Sequence, residues 1–369
     1  MRILFDNQIF SHQSYGGVIK YFEELLSNLR KRNNLTVKIP KIYLRNEASF
    51  YMKNKKNNTF LIFYANKIIN KIKREIKFIL DKTSNASQLK KQEFDIFHPT
   101  YYDPYFLPYL KDKPFVLTIY DMIQERFPEY FGQKNQTGMQ KALLAEKASK
   151  IIAISQNTKK DIVNILGVKP EKIEVIYLAT TPEKNMEPVP VPNFYILFVG
   201  GRGRYKNFST MAKAFSNLSQ NYPDLFLVCT GHDFSEEENN MLADLGISSK
   251  SISITANPQQ LAFLYFNAKV FVFPSKYEGF GLPILEAFSY NCPVILSRAS
   301  CFPEIAGEAA LYFETENSLS LEKTIEILLN DKEMRKQLIQ KGLERLKFFS
   351  WNTTTNKTLS LYQRCLIAN

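Results

Sequence analysis

Short apolar runs alternate along this chain with longer segments of helical period. In the first half, residues 2–5, 94–98, 114–121, 150–154 and 172–178 read as strands. Residues 18–32 carry apolar positions at the i, i+3, i+4 spacing of a helix. Ser155 is placed to cap a helix over 156–166. In the second half the strands fall at 194–199, 225–230, 251–255, 270–273 and 293–297. Helices are predicted from the loop after 201 to 220, over 257–267, from Pro283 onward, twice between 319 and 348, and from 351 to 366. Strand–helix alternation predicts parallel sheets covered on both faces by helices, an α/β class. Residues 180–193 hold Pro182, Pro188, Pro190 and Pro192 and read as an extended linker. The expected organisation is a unit over 1–180, a linker over 181–193, a second unit over 194–348 and a tail over 349–369.

Length agrees, since 369 residues suit two units of ordinary size. With 45% hydrophobic residues the chain can form cores, yet no apolar run approaches the roughly 20 residues that span a bilayer. Residues 1–5 read as a first buried strand and not as a leader. Cys229, Cys292, Cys301 and Cys365 are scattered. They read as reduced core thiols of a cytoplasmic protein, with no metal or disulfide framework. The formal charge is +12. Residues 41–91 hold thirteen Lys/Arg against three Asp/Glu, which supplies +10 of it. Residues 41–92 therefore read as a basic insertion. Within it, residues 64–80 put Ile68, Ile69, Ile72, Ile76 and Ile79 on one helical face, with lysines mostly elsewhere. Two readings stand: a helix docked on an anionic membrane surface at the inner face of the cell membrane, or an ordinary surface helix. Nucleic acid is not an expected partner, because no recognised module accompanies this local charge.

Chemistry concentrates after the strand 270–273. Gly279 and Gly281 permit a tight turn and a close backbone approach. Pro283 suits a helix start. The N–H groups and dipole of that start favour an anion such as phosphate. Glu278 and Glu286 frame the loop, and carboxylates accept hydrogen bonds from hydroxyls. A phosphate site between two hydroxyl acceptors describes a nucleotide-sugar. The segment Glu278-Gly279-Phe280-Gly281-Leu282-Pro283 to Glu286 resembles the Glu-x7-Glu motif of retaining glycosyltransferases of the GT-B fold, family 4. The resemblance is specific over 195–345 and fainter over 1–180.

That resemblance implies two Rossmann-like units facing each other across a cleft, with a C-terminal helix crossing back to the first. It implies a donor bound by Arg202, Lys206, Glu278, Gly279, Phe280, Gly281, Leu282, Glu286 and Gly17. Arg202 and Lys206, cations before a helix, would grip the diphosphate. The acceptor would meet Gly16, His98, Tyr120 and Asp121 at the carboxyl ends of first-half strands. Relatives carry His-Asp where this chain has Tyr120-Asp121, and a phenol cannot be a cation near neutral pH. Catalytic roles fall to Glu278, Lys206, Arg202 and Asp121. The sequence holds no Asp-x-Asp, so neither a metal nor another cofactor is expected. The implied activity is transfer of a hexose (mannose, rhamnose, glucose or similar) from a nucleotide-diphosphate sugar to a glycan or lipid-linked saccharide in surface polysaccharide synthesis. A non-catalytic sugar-nucleotide or glycan binder on the same fold is the alternative.

Overall fold

The apolar runs become the strands of parallel sheets. The computed structural model describes residues 1–12, 16–40, 79–131 and 135–367. In the first half the strands are β1 (Arg2–Phe5), β2 (Thr36–Lys38), β3 (Ile96–His98), β4 (Val116–Ile119), β5 (Lys150–Ala153) and β6 (Ile173–Val175). They form two parallel sets, β2-β1-β3 and β4-β5-β6. Among the described residues a bridge between Phe97 and Phe115 joins them, with the Phe97 N–H donating to the Pro114 carbonyl at 3.1 Å. The second half holds β7 (Tyr195–Val199), β8 (Phe226–Thr230), β9 (Ser251–Ile254), β10 (Val270–Phe273), β11 (Val294–Ser297) and β12 (Leu311–Phe313). Their order is β12-β11-β10-β7-β8-β9, all parallel. This is the doubly wound order that reverses beside its first strand. The crevice of such a sheet lies at the carboxyl ends of β7 and β10. Those are the ends from which both charged motifs emerge.

Most expected elements appear within two residues of their predicted bounds. The helix predicted over 18–32 runs Gly17–Arg30. Ser155 caps Gln156–Leu166 as expected, its hydroxyl accepting from the Thr158 N–H. Strands β2 and β12 and the helices Gln136–Lys147 and Glu236–Asp244 were not anticipated. Two of these are three-residue strands, too short for periodicity to register. The linker segment is neither helix nor strand, and Val189 and Val191 pack on the core. Residues 79–90 are helical. The rest of the basic stretch, 64–78, lies outside the described residues. No helix among the described residues is long and apolar enough to cross a membrane.

The last helix, Trp351–Ile367, packs on the first half. The Thr354 hydroxyl donates to the Tyr177 carbonyl at 2.7 Å. Arg32 donates to Asn352 and Asn356, each at 2.8 Å. Tyr362 and Trp351 are buried against first-half aromatics, with Trp351 beside Tyr21. The tail is thus amphipathic because it covers an apolar face there.

Candidate active site

The loop after β7 is shaped by its own backbone. Gly200 has φ +112° and Asn207 adopts the left-handed region at φ 58°, a conformation that Asn tolerates better than most residues. Asn207 Nδ2 donates to the Pro274 carbonyl at 3.1 Å, and Thr210 Oγ1 donates to Asn207 Oδ1 at 2.7 Å. The Lys276 N–H donates to the Tyr205 carbonyl at 2.7 Å. These bonds lash the loop after β7 to the loop after β10. The result sets Lys206 Nζ 2.6 Å from Glu278 Oε1.

Both members of this pair are mostly shielded. Burial opposes the Lys206 charge, but attraction to Glu278, Tyr205 and Asp121, together with the Glu278 hydrogen bond, outweighs it and raises the ammonium pKa. Lys206 is therefore a cation throughout the neutral range. Burial raises the pKa of the neighbouring Tyr205 phenol, which also feels Lys206, Glu278 and Asp121. Asp121, at the end of β4, thus lies within electrostatic reach of the pair. Its own Oδ1 accepts from the Ile123 N–H at 3.0 Å. The Glu278 backbone is held too: its carbonyl accepts from the Ser300 hydroxyl at 2.6 Å and the Cys301 thiol at 3.2 Å.

Glu286 stands apart from that pair. Its Oε1 accepts from Lys20 Nζ at 3.1 Å and its Oε2 from the Tyr265 hydroxyl at 3.4 Å. These groups line a cavity with Thr180, Pro258 and Tyr290. Arg202 points elsewhere again. Its Nε donates to Glu238 Oε1 at 3.1 Å, and its Nη2 to the carbonyls of His232 and Asp233 at 2.5 and 3.0 Å. The guanidinium lies 4.7 Å from the centre of the Phe234 ring. It braces the loop after β8, and its Nη1 has no hydrogen-bond partner.

The two halves meet at these loops. Gly281, at φ +89°, caps the helix Leu282–Ser289. Gly16, at φ 153°, precedes the helix Gly17–Arg30. A Cβ at Gly17 would lie 3.3 Å from Leu282 Cδ1, so the two helix starts abut. What approaches Gly279 is the Tyr120 carbonyl; a side chain at Gly279 would overlap it. The Tyr277 hydroxyl donates to Asp161 at 2.7 Å, and Arg126 pairs with the same carboxylate at 2.8 Å. Glu304 accepts from the N–H groups of Gln156 and Asn157 at 2.6 and 3.1 Å. Thr158 donates to the Gly279 carbonyl at 3.2 Å.

One expected contact is corrected, and two other expected residues turn their side chains into the core. His98 does not face the cleft: its ring is wholly buried, with Nδ1 2.5 Å from the Tyr362 hydroxyl and Nε2 2.8 Å from Thr118 Oγ1. The returning helix covers the end of β3, and burial lowers the imidazole pKa to about 3. The Tyr120 ring packs against Tyr21, Phe22 and Tyr102, and its hydroxyl donates to the Thr100 carbonyl at 3.2 Å. Its main-chain carbonyl is what approaches Gly279 of the second half. Phe280 is buried between Tyr177 and Phe349, so its side chain is core.

Sequence reasoning passed over several residues. Asn207 could have been suspected as an Asn just before a helix. Lys20 sits in the first turn of a helix, against the dipole, the same anomaly that drew attention to Arg202 and Lys206. Asp6 gave no sequence signal. Its buried carboxylate, with a pKa raised by desolvation, accepts from the Thr100 N–H and hydroxyl at 2.8 and 2.7 Å and from Gln8 Nε2 at 2.6 Å. No group of three or more His, Cys, Asp or Glu side chains that could hold a metal ion occurs among the described residues.

Comparison with known proteins agrees with the fold. Residues 180–345 match the family model described as glycosyl transferases group 1, and residues 15–184 match that of glycosyltransferase family 4. The chain is 28% identical over 284 residues to O-antigen chain mannosyltransferase B of Escherichia coli, covering 71% of this chain and 74% of the relative. It is 28% identical over 220 residues to O-antigen chain mannosyltransferase RfbU of Salmonella typhimurium, covering 59% of this chain and 61% of that protein. The second alignment thus spans less than two thirds of its relative. Among solved structures, sucrose-phosphate synthase from Thermosynechococcus elongatus superposes with a TM-score of 0.74 at 16% identity, over 100% of both chains. Anabaena HepE in complex with UDP and glucose superposes at 0.69 with 16% identity, over 98% of this chain and 99% of that one. At such identities these structures speak for the fold alone.

Proposed function

Because this chain belongs to the GT-B glycosyltransferases of group 1 and family 4, we propose that it moves a hexose from a nucleotide-diphosphate sugar to a glycan or lipid-linked saccharide during surface polysaccharide synthesis. The names of the mannosyltransferase relatives put mannose first among the sugars to test. The observation that carries the reading is the Lys206–Glu278 pair, 2.6 Å apart where β7 and β10 end. In a doubly wound sheet this is where a ligand sits.

In this reading the breaking glycosidic bond leaves charge on the diphosphate. Lys206 and the abutting helix starts at Gly16–Gly17 and Gly281–Leu282 stabilise that charge. Fixed dipoles and cations in a shielded cleft do so better than water. Glu278 holds hydroxyls of the transferred sugar and favours its oxocarbenium-like state. Glu286 holds the ribose hydroxyls. Asp121 orients the acceptor from the first half. Arg202 acts through the unpartnered Nη1 or by bracing the loop. Transfer retains anomeric configuration by same-face attack, the leaving phosphate taking the acceptor proton. Cationic side chains replace a divalent metal. The basic stretch 64–80 would hold the enzyme at an anionic membrane surface, near a lipid-linked acceptor.

The test is release of free nucleoside diphosphate from a panel of nucleotide-sugars, GDP-mannose first, with saccharide acceptors and product linkage analysis. Donor binding with no release under any acceptor would leave a binding protein on this fold and remove the enzyme reading.

A further inference from the structure

Lys20 and Glu286 belong to different halves of the chain, yet they form an ion pair. Lys20 lies in the first turn of Gly17–Arg30, and Glu286 in the second turn of Leu282–Ser289. Nζ and Oε1 are 3.1 Å apart, with the lysine side chain 33% and the glutamate 16% exposed. Tyr265 holds the other oxygen of the carboxylate. The pair borders a cavity shared by the linker (Thr180, Thr181) and the helix Pro258–Asn267. The starts of the two helices themselves abut, through Gly17 and Leu282.

An ammonium in the first turn of a helix opposes the dipole, so its placement needs a local compensation. Glu286 supplies it. The benefit runs both ways: a carboxylate gripped at one oxygen by an ammonium and at the other by a phenol is fixed in direction. Each carboxylate oxygen has a second lone pair, so both can still accept from a vicinal diol. We propose that Lys20 is a positioning residue that the first half contributes to the donor pocket: it aims Glu286 at the ribose hydroxyls of the nucleotide. The inference rests on the reading of Glu286 as the ribose acceptor. It adds that nucleotide recognition is completed by the half of the chain that carries the acceptor side. Separation of the halves would remove Lys20 and loosen the grip on ribose.

The experiment is calorimetric titration of the full chain with GDP and UDP, and with the 2′,3′-dideoxy form of whichever binds. Lys20→Ala should weaken the ribonucleotide by about tenfold, the scale of one charge-assisted hydrogen bond, and leave the dideoxy form unchanged. Lys20→Arg should restore most of the loss. In a Glu286→Gln background Lys20→Ala should have no further effect. Equal losses for both nucleotides would overturn the proposal, since Lys20 would then act on phosphate or on the fold. Unchanged binding of both would overturn it as well. If the unaltered protein binds neither these nor any other nucleoside diphosphate, the donor-site reading fails instead, a result distinguishable from either.

Discussion

The main-chain carbonyl of Tyr120, at the end of β4, rests directly against Gly279 in the loop after β10. One residue comes from each half, and the contact leaves no room for a side chain. Gly279→Ala should therefore push the halves apart at the level of Glu278. A displacement near 1 Å at a reacting centre can cost about a hundredfold in rate. We expect kcat/KM to fall by about that factor with a modest loss of Tm. Unaltered kinetics would mean the halves can work further apart than they stand here.

Lys206 offers the sharpest test of the diphosphate role. Removing one preorganised stabiliser of developing charge typically costs about 100- to 1000-fold in kcat. Lys206→Ala should show such a loss at saturating donor. Turnover close to normal under that condition would remove the assignment. Because Glu278 raises the Lys206 pKa, the ammonium persists as pH rises past the ordinary lysine range. The rate should thus show no Lys206 limb between pH 6 and 9.

If the cations do the work of a metal, activity should survive chelation. Enzyme dialysed against excess EDTA is expected to keep its nucleoside diphosphate release. Loss of turnover that returns with magnesium or manganese would contradict this.

Arg202 donates to Glu238 and to two carbonyls of the loop after β8. Arg202→Lys cannot span these positions with one ammonium. The expected cost is about 1–3 kcal/mol of stability, from lost charged hydrogen bonds, read by urea unfolding. If kcat/KM falls in step with that of Glu238→Gln, the guanidinium serves as a brace. A much deeper fall than Glu238→Gln would speak for direct phosphate contact.

His98 should leave a pH signature on stability. Its pKa is lowered to about 3 by burial, from 6.5. Between those values the unfolded chain binds one more proton than the folded one. Stability therefore rises with pH across that window and is complete above 6.5. On acidification it should be lost at about 1.4 kcal/mol per pH unit for this group. The raised pKa of Asp6 acts in the opposite sense but cancels in a comparison with His98→Gln. That variant should show a shallower slope of unfolding free energy between pH 4 and 6.5, by about one proton. Parallel slopes would show that His98 does not titrate on unfolding.

Much was legible before any coordinates. The alternation of strands and helices came through because each depends on neighbours within a few residues. Both charged loops could be placed at strand ends, and the doubly wound order then put them together, with Lys206 meeting Glu278. The capping role of Ser155 was equally visible as a local hydrogen-bond pattern, and the return of the last helix to the first half was implied by the family resemblance alone.

What tertiary structure alone decided is the choice of distant partner. A strand-end histidine reads the same whether it faces a cleft or a core; His98 is core because Tyr362, 264 residues away, lies over it. A glycine reads the same whether a ligand or a backbone approaches; at Gly279 it is Tyr120. Glu286 was recognised, but its partner Lys20 lies 266 residues earlier. Local pattern sets what an element is. Which surfaces meet depends on the packing of two halves, and no window of sequence contains both.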